Sequence, residues 1–153
     1  MKVGIISDTH GLLRSEVKEN LRDCDLIIHA GDIGKMEIIE DLKKIADCEY
    51  IKGNCDKNIE FENMNKFKMI EINKNKIYVV HDIANIDQDL KSLGVNIVIY
   101  GHSHKKESYE KDSILYINPG SVGPRRFKLP ITMAKLEIND KELENIKLDF
   151  IEI

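Results

Sequence analysis

The sequence holds no tryptophan, and proline and cysteine occur three times each. The prolines (Pro119, Pro124 and Pro130) all fall late, so no proline-rich linker divides the earlier chain. Cys24, Cys48 and Cys55 are odd in number and lack paired spacing, which argues against a disulfide framework and against a cysteine-built zinc site. Reduced thiols in a reducing, cytoplasmic setting are the expectation. Long apolar runs are also missing. The stretch Val3 to Ile6 is too short for the apolar region of a signal peptide and far too short to span a bilayer, so no membrane association is expected. Nor is there an excess of positive charge: the formal net charge is -4, and the local group Lys66, Lys68, Lys74 and Lys76 is interrupted by acidic and apolar residues. That group is read as a solvated face, with no clear nucleic-acid surface.

What remains is an ordinary globular composition, 42% hydrophobic and 33% charged, over 153 residues. One domain, 1–153, accommodates it. Short β-branched runs alternate with amphipathic stretches in the first half. Lys2 to Ser7, Leu26 to Ala30, Val95 to Tyr100 and the weaker Glu49 to Lys52 read as strands. Arg14 to Leu21, Met36 to Ala46 and Gln88 to Leu93 read as helices, the second with Met36, Ile39, Leu42 and Ala46 on one stripe. Later runs, Lys68 to Ile72, Lys76 to His81, Ile114 to Asn118, Ile131 to Ile138 and Lys147 to Ile151, are strand-like. Asn73-Lys74-Asn75 predicts a hairpin, because asparagine tolerates the left-handed conformation that tight turns use. The order predicts an α/β fold with two packed sheets and helices outside.

Chemistry-bearing side chains sit at the C-terminal ends of five of these runs. Asp8 and His10 follow the first, Asp32 the second and Asn54 the third. His81 ends another, and His102 and His104 follow Val95 to Tyr100. That edge is where open α/β sheets bind ligands. Each piece has a bland reading by itself: Asp8 as a cap or turn former, Gly53-Asn54 as a turn, His81 as a satisfied core histidine. His29 lies inside a strand and is read as a hydrogen-bonded core or supporting group. Together, seven side chains with only oxygen or nitrogen donors suit two divalent cations with one bridging carboxylate.

The series Asp8-Thr9-His10, Gly31-Asp32, Gly53-Asn54-Cys55-Asp56, His81, then Gly101-His102-Ser103-His104 resembles the calcineurin-like metallophosphoesterase family. The short length and Asn118-Pro119-Gly120-Ser121 resemble its small single-domain phosphodiesterase branch. The resemblance implies a four-layer α-β-β-α sandwich with two packed mixed sheets. It implies that Asp8, His10, Asp32 and His104 hold one metal and that Asp32, Asn54, His81 and His102 hold the other, with Asp32 bridging. Asp32, Asn54 and His102 are taken as the catalytic set. The ions would be Mn, Ni, Fe, Co or Zn, with Mn favoured, and the substrate a small phosphate ester. A homodimer or tetramer is compatible with the branch.

Two cations about 3.5–4 Å apart can share one water, lower its pKa and clamp phosphate oxygens during in-line attack by the bridging hydroxide. Ser103 and Ser121 are left without a dedicated histidine, which disfavours a covalent serine mechanism. Two positions depart from the family pattern. Cys55 stands where many members carry a histidine that protonates the leaving group, which favours diesters with good leaving groups. Asp82 stands where glycine is usual. Asp56 is read as a support for a ligand or a cap. Arg125 and Arg126 are read as solvated before they are read as phosphate contacts, and Cys55 as inert packing. The competing expectation is a non-catalytic scaffold of the same fold that binds partner proteins; a complete set of seven donors argues against it.

Overall fold

The structure, a computed structural model, describes residues 1–139 and 146–153. Its elements run β1 (Lys2–Ile6), α1 (Ser15–Leu21), β2 (Leu26–His29), α2 (Met36–Lys43), β3 (Asp47–Tyr50), β4 (Phe67–Ile72), β5 (Asn75–Val80), β6 (Ile97–Ile99), β7 (Glu107–Lys111), β8 (Ile114–Asn118), β9 (Thr132–Ile138) and β10 (Ile146–Glu152). Two mixed five-stranded sheets result, ordered β10-β9-β1-β2-β3 and β4-β5-β6-β8-β7. In the first, β1, β2 and β3 are parallel. In the second, β5, β6 and β8 are parallel.

Strand alternation explains how the sheets stack. Val3 and Ile5 of β1 turn inward with Ile28, meeting Ile77 and Val79 of β5 and Ile97 and Ile99 of β6 in one buried cluster between the sheets. The alternate residues face outward. Ile6 and Ile27 pack under α1 and α2 through Val17, Leu21, Ile39 and Leu42. The predicted stripe on α2 holds, although the helix ends at Lys43 and the buried positions are Ile38, Ile39 and Leu42. Truncating any one of these fully buried isoleucines or leucines to alanine costs about 2–5 kcal/mol.

The outer face of the second sheet is covered differently. Gln88 to Leu93, expected as a helix, forms only turns. Asp89 accepts from Ser92 through both its backbone N–H and its hydroxyl, and the turn closes with Val95 N–H donating to the Leu90 carbonyl. Asp and Ser compete with helical bonding in this way, and Gly94 at φ 74 stops propagation. Leu90 and Val95 still reach the cluster around Tyr78, Val98 and Tyr100, so the fourth layer is this irregular segment with one 3-10 turn at Ile83–Asn85. The strand β7 was not among the expected ones. It is a charged edge strand whose one partly buried side chain is Tyr109, stacked on Tyr116 with ring centroids 4.9 Å apart. The hairpin at Asn73-Lys74 forms as expected, both residues at positive φ between β4 and β5.

Candidate metal centre

The loops that leave β1, β2, β3, β5 and β6 meet at one edge of the sandwich. Backbone pairing continues past the strand ends into these loops. Asp8 N–H donates to the Gly31 carbonyl at 3.0 Å, His10 N–H to Asp32 at 2.9 Å, and Gly101 N–H to His81 at 3.0 Å. Gly53 and Gly101 let the loops come this close. A Cβ on Gly53 would lie 2.1 Å from Asp32 Oδ1, and one on Gly101 2.0 Å from Ser7 Oγ and 2.7 Å from Asp8 Oδ2.

The side chains converge on two buried carboxylates. His104 Nε2 lies 3.3 Å from Asp8 Oδ1, and His10 Nε2 lies 3.8 Å from the same oxygen and 3.4 Å from His104 Nε2. His10 also reaches to 3.7 Å from Asp32 Oδ2. His81 Nε2 stands between the carboxylates, 3.1 Å from Asp32 Oδ2 and 3.7 Å from Asp8 Oδ1. Three donor groupings compact enough to hold an ion follow among the described residues, Asp8-His10-His104, Asp8-Asp32-His81 and His10-Asp32-Cys55. His102 and Asn54 adjoin them. Asn54 Oδ1 is 3.2 Å from His102 Nδ1, and the His102 ring stands edge-on to His81 with centroids 5.3 Å apart. The structure thus brings all seven sequence-predicted donors to one edge, five in a tight group and Asn54 and His102 paired beside it.

The electrostatics of this group are unusual. His81 Nδ1 sits 2.7 Å from the Ala30 carbonyl, which can only accept, so Nδ1 carries the proton and Nε2 faces the carboxylates. Both Asp8 Oδ1 and His81 Nε2 are buried with no hydrogen-bond partner among the described residues. An imidazole lone pair aimed at two desolvated carboxylates is repulsive unless a positive charge lies among them. A proton is one answer. Burial alone would lower the His81 pKa, but facing Asp32 and Asp8 raises it. Burial likewise pushes Asp8 and Asp32 upward, and the histidines around them outweigh it, leaving both carboxyls below the ordinary range. A divalent cation answers the same demand with more charge, and oxygen and imidazole donors suit it.

Residues that sequence reasoning placed loosely turn out to build this geometry. Asp56, almost wholly buried, accepts three backbone N–H groups, from Ile33, Gly34 and Gly53, at 2.9–3.0 Å. It therefore ties the loop bearing Asp32 to the loop bearing Asn54. Asn118 does the same for the His102-His104 loop, donating to the Gly101 carbonyl and to Ser103 Oγ. Ser121 Oγ donates to the Asp8 carbonyl. Asp82 caps the Ile83–Asn85 turn through Ala84 N–H, while its other oxygen lies 3.6 Å from His102 Nε2. His29 packs behind the site and contacts Thr9 Oγ1 at 2.9 Å. Cys55 is exposed, not packed: its Sγ lies within 4.8 Å of ligand atoms of His10 and Asp32, and its N–H donates to Asp32 Oδ1. Burial and the Asp32 carboxylate raise its pKa, so the thiol keeps its proton.

Two packed mixed sheets that deliver carboxylates and imidazoles from separate strands to one edge define a metallophosphoesterase. The profile of the calcineurin-like phosphoesterase superfamily domain matches residues 1–141, and the chain belongs to that superfamily. Among its relatives is a protein of Methanocaldococcus jannaschii named a probable metallophosphoesterase, 36% identical over 92% of this chain and 78% of that protein. Another protein of that organism, named a phosphodiesterase, is 30% identical over 97% of this chain and all of its own length. Among solved structures, a Vps29 from Entamoeba histolytica, described as complexed with zinc, superposes with a TM-score of 0.76 at 24% identity over 99% of both chains, a likeness of fold.

Proposed function

We propose that the protein is a phosphodiesterase that works with two divalent cations, and that its seven clustered donors are their ligands. Asp8, His10, Asp32 and His104 would hold one ion, and Asp32, Asn54, His81 and His102 the other. The observation that carries this reading is the buried pair Asp8 Oδ1 and His81 Nε2, which have no hydrogen-bond partner among the described residues and face one another across 3.7 Å beside Asp32. Cations held there would supply the positive charge that this arrangement calls for, and their chemistry would be to activate water and to neutralise phosphate oxygens. The chain's own contribution is to hold the donors before substrate arrives. Asp56 and Asn118 fix the loops, and the Ala30 carbonyl sets the His81 tautomer. Diester preference is supported by Cys55, whose protonated thiol is a weak donor to an alkoxide leaving group.

The test is hydrolysis of bis(p-nitrophenyl) phosphate and p-nitrophenyl phosphate after chelation and reloading with Mn, Ni, Co, Fe or Zn. Metal-dependent turnover that favours the diester is expected, with losses of at least about 100-fold in Asp32→Asn and His102→Ala. Turnover without metal, or full activity in both variants, would reject the mechanism.

A further inference from the structure

A cavity of about 580 Å³ opens directly beside the donor cluster, and Asn54, His81 and His102 are part of its lining. It falls within the size range of pockets that take a small organic ligand. The rest of its lining is chemically distinct from these donors. Phe67, at the start of β4, lines the cavity and is 42% exposed, a large fraction for a phenylalanine. Its ring is stacked on that of the buried Tyr78, with centroids 5.4 Å apart and planes 19° from parallel. Tyr78 is held from below by the cluster of Val80, Val98 and Leu90. The Phe67 ring is therefore supported on one side and available on the other. Around it stand acceptors, Asp82, Asn85 and Asp87, and two cations, Lys52 and Lys66.

We infer that this cavity receives one ester group of the substrate and that the group is a nucleoside, its base stacked on Phe67. The inference rests on the phosphodiesterase reading above and names its substrate class. A planar base gains from a supported aromatic face whatever its identity. Carboxylate and carboxamide oxygens suit ribose hydroxyls and exocyclic amines. The reaction adds one water across a P–O bond. The water oxygen bonds to phosphorus, the ester P–O bond breaks, one water proton ends on the departing alcohol, and a nucleoside monophosphate remains.

Two readouts test this. Calorimetric titration of the metal-loaded protein with adenosine 5′-monophosphate and with ribose 5-phosphate compares ligands that differ by the base. The base should tighten binding about tenfold, and Phe67→Ala should erase that difference while Phe67→Tyr keeps it. In kinetics, thymidine 5′-(p-nitrophenyl) phosphate and methyl p-nitrophenyl phosphate share a leaving group. Phe67→Ala should raise KM about tenfold for the first with little change in kcat, and leave the second unaltered. Equal binding of the two phosphates by the wild-type protein, or equal losses on both esters in Phe67→Ala with metal affinity and melting temperature unchanged, would overturn the assignment. Absence of metal-dependent turnover with every ester would instead overturn the phosphodiesterase reading, and the titration would still report on the cavity.

Discussion

Asp8, His10, Asp32, His102 and His104 all have φ between 45° and 73°, the left-handed region that costs a non-glycine residue on the order of 1 kcal/mol. Elsewhere among the described residues, such non-glycine positions are two hairpin pairs and Phe127. Strain gathered at five of seven donors identifies a site whose geometry is imposed by its surroundings. Cys55 belongs to the same rim. Replacing it with histidine places a better proton donor beside the cluster, so Cys55→His should raise kcat on esters with alkyl leaving groups about tenfold or more, with p-nitrophenyl diesters changed little. Equal effects on both substrate types would show that proton donation is not what this position controls. His29 gives a separate expectation. Its Nδ1 accepts from Gly31 N–H, so Nε2–H donates to Thr9 and the ring is neutral. Burial lowers its pKa from 6.5 to about 4. Above 6.5 both states are neutral and it adds no pH dependence. As the pH falls from 6.5 to 4 the unfolded chain takes up a proton that the folded chain refuses, so stability drops by on the order of 3 kcal/mol. Urea unfolding between pH 7 and pH 4 should show that decline, and His29→Gln should flatten it; identical slopes would count against the burial of a neutral ring.

Loops, more than strands, decide whether the donors meet. Asp56 accepts three backbone N–H groups from two loops, and removing it leaves all three without that partner in a buried setting. Asp56→Ala should therefore cost about 3 kcal/mol or more of stability and weaken metal binding about 10- to 100-fold, read by unfolding and by metal titration. A stable variant with full metal affinity would remove Asp56 from this role. Its importance was not legible in the sequence, since an aspartate after Gly53-Asn54-Cys55 reads equally as a cap, and only the fold brings Ile33 and Gly34 to it. The donors themselves were legible, because Asp8, Asp32, His81 and His102 each follow an apolar run, and the ends of parallel strands share one edge. The segment Gln88 to Leu93 misled because its spacing of Leu90 and Leu93 suits a helix, while the Asp89–Ser92 contacts and Gly94 favour a turn. The strand β7 was hidden for the opposite reason: Glu107, Glu110 and Lys111 carry no apolar alternation, and an edge strand pairs through its backbone alone on one side.

At the scale of the whole molecule, the carboxylate pair ties function to stability. The two sheets share a buried apolar core, yet their common edge carries Asp8 and Asp32 buried together, a pairing that favours the fold only when positive charge sits with it. A cation bound to the folded state alone stabilises it by RT ln(1 + [L]/Kd), about 4 kcal/mol at a thousandfold excess over Kd. Manganese should accordingly raise the melting temperature of the wild-type protein by several degrees, and excess chelator should reverse the rise. Asp8→Asn removes one buried charge and supplies an amide N–H toward His104 and His81. It should abolish the manganese-induced rise. Because the histidines hold the Asp8 carboxyl below its ordinary range, its charge contributes stability at neutral pH even without metal, and the chelated variant should melt below the chelated wild type. A chelated variant that melts as high as the wild type would mean that the histidines do not compensate the buried charge, and a variant that keeps the full rise would mean that the ion is held elsewhere.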